Sequence, residues 1–322
     1  MQLNRELLNT MLAILLPIAF GYLLKHVRLF KESEVAALRK FVVRVALPFL
    51  IFQNLYRADV ASLRQALPVI AGFIVMTALY TAASLLVSPL VKADDEQKLT
   101  FAFAVFAGNY AFLGWGVIAS FFGPAALTRA VFFSMFFWPV FLTCGFLLRR
   151  RFCRVCERDP RGSEGFFKVL LRHAGVPIGT AAVALALNIA RVRLPATLDN
   201  FVGQFASLAI PLILFAIGQN LVLLMPAARL RLVLAASFFR LVGGFALGLA
   251  TVAAICLLFE VDAMSRRVIL LQAVMPTATM ATFFGEYVPL DEKLLSGIIA
   301  VATLLSFITL PLWVMVIHAL VG

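Results

Sequence analysis

Apolar residues run in long blocks along this chain, and nearly all charged residues fall in the gaps between the blocks or toward their edges. Neither the alternation of a half-buried strand nor the narrow stripe of a surface helix describes such blocks. Runs of about 20 apolar residues instead match one helix crossing the hydrocarbon core of a bilayer. Ten runs are read: residues 7–24, 38–56, 67–91, 99–122 and 125–148, then 174–190, 201–225, 232–259, 268–288 and 294–319. The fold expected is an all-α polytopic membrane protein of ten transmembrane helices. Its parts are a first five-helix repeat over 1–150, a basic loop over 151–172 and a second five-helix repeat over 173–322. The first run follows Arg5 and Glu6 and has no small-residue cleavage site after it, so it is kept as a helix and not read as a removable signal.

Composition strengthens this reading. The 322 residues are 63% hydrophobic and only 14% charged, and the mean hydropathy is +1.00. A soluble domain cannot hide so much apolar surface, so lipid is the expected solvent and partner. The net charge of +12 would fit a nucleic-acid binder only if the basic residues formed a stripe with aromatics, and they do not. They sort by loop instead. Alternate gaps with the run edges beside them, beginning with that between runs 1 and 2, hold 19 Lys and Arg, the others hold 8, and Arg240 lies deepest within a run. Positive charge stays on the cytoplasmic side, which places both termini outside a cell (inner) membrane.

The two halves also echo one another. Pro17 and Pro177 lie 160 residues apart, as do Phe41-Val42 and Phe201-Val202, while Phe121-Phe122-Gly123 returns as Phe283-Phe284-Gly285 after 162. Five helices per repeat make the second copy enter from the opposite side, and inverted repeats of this kind are a carrier signature.

Two runs carry interruptions. In the fourth, Gly108-Asn109-Tyr110 and Gly114-Trp115-Gly116 put glycines and an amide into an apolar span, each glycine weakening a helix by about 1 kcal/mol. In the ninth, Met275-Pro276-Thr277-Ala278-Thr279 contains a proline that removes a backbone hydrogen bond. Counting from Lys98 and Arg267 at ~1.5 Å per residue puts both breaks near the midplane. Polar backbone at that depth lines a cavity or is buried in protein. A kink alone explains either break; two at one depth favour a binding site. Gly244 and Gly248 read as a close helix approach. The run Gly114 to Ala119 fits a dinucleotide fingerprint in form but lies inside a membrane span without a preceding strand, and is rejected.

The acidic residues all fall in gaps or at run edges, leaving no buried carboxylate to carry a coupled cation. Arg240 is expected to snorkel to the cytoplasmic edge or bond backbone carbonyls. Cys153 and Cys156 form one C-x-x-C without a second ligand pair, and His26, His173 and His318 sit at run ends, so no metal or other cofactor is expected. No motif of an intramembrane enzyme is present.

Leu16-Pro17-Ile18-Ala19-Phe20-Gly21-Tyr22, Ala46-Leu47-Pro48-Phe49, Gly108-Asn109 with Phe112-Leu113-Gly114, Ile210-Pro211-Leu212 leading to Gly218, and Met275-Pro276-Thr277 together resemble the auxin efflux carrier family over nearly the whole chain. Trp115-Gly116 departs from that pattern. The resemblance implies two inverted five-helix repeats with helices 4 and 9 crossing at their breaks, and a permease for organic anions. Bacterial members of that family are often labelled malonate or malate permeases.

The residues expected to bind the solute are Gly108, Asn109, Tyr110 and Gly114 from the fourth run, with Pro276, Thr277 and Thr279 opposite. Gln53, Asn54, Gln219, Asn220 and Arg240 form a second tier. The helix resuming after a break offers amide N–H groups worth roughly half a positive charge, which suits a carboxylate. The function expected is therefore a secondary transporter of a small organic anion, such as a mono- or dicarboxylate, working by alternating access. A sodium-coupled symporter of the same fold and a non-transporting membrane receptor are the alternatives. A second copy of the chain, as a homodimer, is a further candidate partner.

Overall fold

The structure, a computed structural model, describes residues 2–152, 166–220 and 229–321. Cys153, Cys156 and most of the basic loop therefore lie outside the described residues, as does the side chain of Asn220. The described chain is helical, and its one β-type pairing is an isolated bridge.

In chain order the helices are α1 (Gln2–His26), α2 (Glu32–Phe41), α3 (Leu47–Tyr56), α4 (Val60–Arg64), α5 (Ala66–Val87), α6 (Asp95–Phe106) and α7 (Gly114–Phe133). They continue as α8 (Phe137–Arg151), α9 (Phe166–Ile189), α10 (Ala196–Asn220), α11 (Leu230–Phe238), α12 (Gly244–Cys256), α13 (Ala263–Ala273) and α14 (Glu292–Val321). Single π turns at Val42–Ala46 and Phe239–Gly243 join α2 to α3 and α11 to α12. The first precedes Pro48, whose ring an unaltered α-helix accommodates poorly.

Among the described residues, six segments are long and apolar enough to cross a membrane: Ala66–Leu90, Gly114–Phe133, Lys168–Ile189, Ala196–Gln219, Leu230–Cys256 and Glu292–Val321. Their outward faces are apolar, with Leu86, Leu90, Leu171, Ile189 and Leu249 all exposed, as lipid contact requires. The protein is thus a multi-pass membrane protein. Runs 4 and 9 are missing from that set because each is broken. α6 has 12 residues and α13 has 11, about half a bilayer at ~1.5 Å per residue. Asp94 caps α6 through the Gln97 amide (2.8 Å), and Asp262 caps α13 through that of Ser265 (2.7 Å). Each carboxylate thereby satisfies an amide that the first helical turn leaves open.

Gly114–Phe133 passes on length, yet Gly123 divides it with φ 79° and ψ −172°. Only glycine enters that region without strain, and Pro124 then starts the next segment. The run 125–148 is itself interrupted, because α7 ends at Phe133 and α8 begins at Phe137. Pro139 supplies the reason: a continuous helix would drive its ring into the carbonyl of Met135.

The helices assort into two groups. α1 packs along α10, and α3 lies against α9 and α10. α5, α6, α7, α12, α13 and α14 pack among themselves as the second group, with α11 against α14. Each group takes helices from both halves of the sequence. In the first, Gly21 and Gly218 let α1 and α10 nearly touch: a Cβ on Gly218 would stand 2.0 Å from the Ile18 carbonyl oxygen. In the second, a Cβ on Gly248 would stand 2.7 Å from that of Ala273, so this glycine serves close packing of α12 on α13, as its spacing suggests.

Ion pairs sit at the ends of the second group. Arg129 binds Asp262 at 2.6 Å and Ser265 at 3.2 Å, and Arg229 binds Asp291. Partial burial pushes the Asp262 carboxyl up, but hydrogen bonds from Ser265 and the Arg129 guanidinium outweigh it and hold the group below the usual carboxylate range.

Candidate functional site

The site is built where the two breaks meet. α6 stops at Phe106 and Ala107 turns extended (φ −88°, ψ 103°). α13 stops at Ala273, and Ala278 is likewise extended (φ −72°, ψ 139°) before the 3-10 turns Thr279–Glu286. Between them the chains run antiparallel. The Asn109 amide donates to the Pro276 carbonyl at 2.9 Å, and the Ala278 amide to the Ala107 carbonyl at 2.8 Å, a bridge centred on Gly108 and Thr277. Breaking a helix inside a membrane strands carbonyls that cost several kcal/mol each if left alone. Side chains from elsewhere cover them here. Thr277 Oγ1 donates to the Ala104 carbonyl at 2.9 Å, Gln272 Nε2 to that of Tyr110 at 3.2 Å, and the Tyr80 hydroxyl to that of Ala273.

Arg240 covers two further acceptors. The side chain is fully buried at 0% exposure. Its Nε and Nη2 donate to the Met275 carbonyl at 3.1 and 2.7 Å, and its Nη1 to the Val105 carbonyl at 3.2 Å. The guanidinium lies 4.1 Å from the centre of the Tyr80 ring and 5.8 Å from that of Tyr110. The charge is therefore solvated by carbonyl dipoles and aromatic faces. Of the two escapes open to it, it bonds carbonyls and does not snorkel. Gly108 is required by this arrangement, since a Cβ there would stand 2.3 Å from Arg240 Nη2 and 2.4 Å from the Tyr110 ring.

Asn109 organises the other side of the break. Its Oδ1 accepts from the Leu113 amide at 3.2 Å and its carbonyl from the Gly114 amide at 2.9 Å, so the residue caps the start of α7. Its Nδ2 has no partner, although the residue is only 2% exposed. A buried donor left open costs about 1–3 kcal/mol, which makes it a place for a ligand to bind.

Asn109 lines a cleft between the two helix groups. One wall is Val43, Leu47, Pro48, Ile51, Pro177 and Ala181; the other is the segment 108–112 with Trp115, Ser134, Met135, Phe137, Trp138, Ala278 and Met280. No charged side chain lines it among the described residues. A lining that is mostly apolar with a few convergent polar groups is the usual form of a small-molecule site.

Of the residues expected from sequence, Gly108, Asn109 and Tyr110 line the cleft, and Gly114 opens α7 beside them. Pro276, Thr277 and Thr279 belong to the opposing segment but do not line it; Thr277 is spent on the Ala104 carbonyl. Gln53 and Asn54 line a separate polar cleft with Arg57 and Asp59, and Gln219 ties α10 to the Gly21 carbonyl at 2.7 Å. The sequence reading missed Tyr80, Gln272 and Ser134. Tyr80 and Gln272 are polar groups inside apolar runs, a signal that was available. Ser134 accepts from Trp115 Nε1 at 3.0 Å and so fixes that ring at the cleft wall.

The chain is 27% identical to an uncharacterized transporter of Methanothermobacter thermautotrophicus over 96% of its own length and 98% of the relative's. It is 26% identical to an uncharacterized transporter of Methanocaldococcus jannaschii over 95% and 97%. The family model described as "Membrane transport protein" matches residues 7–160 and 163–314. With that match covering nearly every helix, both broken ones included, the chain belongs to this membrane transport family, that of the auxin efflux carriers.

Proposed function

We propose that the protein is a secondary carrier of a small organic anion, bound at the helix crossing and moved by alternating access between the two helix groups. The observation that carries this reading is the buried, unpartnered Nδ2 of Asn109 in a cleft that lies between those groups. Amides near the start of α7 add a positive partial charge, and Ala111 and Phe112 line the cleft there. A carboxylate is the group that such donors hold. The remaining wall is apolar and aromatic and offers no second cation, so a monocarboxylate with an apolar body fits better than a compact dicarboxylate.

A thermal-shift screen of the purified protein against matched mono- and dicarboxylates tests this, because a ligand of the folded state raises the unfolding midpoint with concentration. The midpoint should rise with apolar monocarboxylates and little with dicarboxylates; a response to neither sinks the reading.

In this reading the ten apolar runs form two inverted five-helix repeats, with α6 and the start of α7 making the fourth crossing and α13 with the following 3-10 turns making the ninth. Reporter fusions near Arg158 and Lys293 should then report cytoplasm, and fusions near Arg193 and Gly322 the outside. A cytoplasmic C-terminus would leave an odd number of crossings and remove the inversion.

A further inference from the structure

We propose that Arg240 is a built-in cation that fills the place where a carrier of this construction would otherwise bind a free metal ion. The inference rests on the carrier reading above and assigns how its site is charged. Where membrane helices are interrupted, the carbonyl-bearing C-terminal ends of the first halves, together with unwound carbonyls, coordinate sodium. Here α6 and α13 end close together, and the acceptors there include the carbonyls of Val105, in the last turn of α6, and of Met275, two residues beyond α13. Both are taken by the guanidinium of Arg240. Tyr80 closes the site from the far side, its ring 4.1 Å from the charge and its hydroxyl on the Ala273 carbonyl. A free cation would find these ligands occupied and a positive charge already in place.

The position of that charge matters for the solute. Gly108 is the partition: its missing side chain leaves room for Arg240 Nη2 on one face, while the same residue lines the cleft on the other. The guanidinium does not touch the cleft; it acts through the peptide units of the crossing. No carboxylate pairs with it among the described residues, so its field is left to the bound anion. Arg240 is thus a positioning and charge-setting residue. A carrier charged in this way needs no sodium.

The test is cation rescue, read by thermal unfolding without any solute. Arg240→Ala vacates the site, so its midpoint should fall, and guanidinium chloride at tens of millimolar should restore it by several degrees where N-methylglucamine chloride does not. Arg240→Lys should remain folded and unresponsive, since its ammonium still occupies the place. Wild type should give the same midpoint in sodium and in N-methylglucamine chloride at equal ionic strength. A sodium-specific rise in wild type would overturn the proposal even if Arg240→Ala fails to fold. So would an alanine variant that folds and responds alike to both organic cations. Because no anion is involved, failure here is distinguishable from failure of the carrier reading.

Discussion

Gly108→Ala is expected to lower the unfolding midpoint sharply, whereas Gly175→Ala leaves it unchanged or slightly raised. A methyl at Gly175 meets nothing within 4 Å, but at Gly108 it would stand 2.3 Å from Arg240 Nη2 and 2.4 Å from the Tyr110 ring. Neither neighbour can yield at little cost. The guanidinium is held by two carbonyls, and Tyr110 packs edge-on to Phe73 and Phe133 with centroids 5.7 and 5.8 Å away. Overpacking a filled core costs about 1–3 kcal/mol. Dislodging a charged donor from its acceptors adds about 1.5–3 kcal/mol. At roughly 2–4 °C per kcal/mol for a chain of moderate size, the midpoint should drop by at least about 5 °C. Equal stability of the two variants would mean that the packing at the crossing is not as described.

The second large effect is at Asn109, where two substitutions separate capping from binding. Asn109→Asp keeps an oxygen for the Leu113 amide, at present 3.2 Å from Oδ1. It replaces the open Nδ2 donor with a negative charge and should abolish carboxylate binding in a folded protein. Asn109→Ala loses both the donor and the cap. A lost donor to a charged partner is worth roughly 1–3 kcal/mol, a weakening of roughly 5- to 150-fold in Kd. Titration calorimetry with a carboxylate that stabilises the wild type makes the comparison. Wild-type affinity in Asn109→Asp would show that the Nδ2 donor holds nothing.

Much of this site could be read from the chain because glycine and proline act locally. Gly108, Gly114 and Pro276 each weaken a helix wherever it lies, so both breaks were foreseen, as was the boundary at Gly123. The break at Ser134–Phe136 was not, since Pro139 acts on a carbonyl four residues back and no glycine marks the spot. The role of Arg240 was open for a different reason. Its partners are 35 and 135 residues away, and only the fold brings the ends of α6 and α13 to it. Thr277 and Thr279 were placed on the solute, but Thr277 lies on extended chain, where its side chain points opposite to that of Ala278, and Thr279 opens the 3-10 turns. Ala278 and Met280 take the cleft instead, while Thr277 turns to the Ala104 carbonyl.

The central claim is that an anion crosses on this protein without a proton or sodium ion to balance it. No aspartate or glutamate lines the cleft among the described residues, and the carbonyls suited to a cation hold Arg240. Current recorded from proteoliposomes on a solid-supported membrane, under an imposed carboxylate gradient, measures this directly. The wild type should carry net negative charge in the direction of the anion, undiminished when sodium is replaced by choline, and Asn109→Asp should give no current. Carboxylate flux without current, or the same current from Asn109→Asp, would contradict the account.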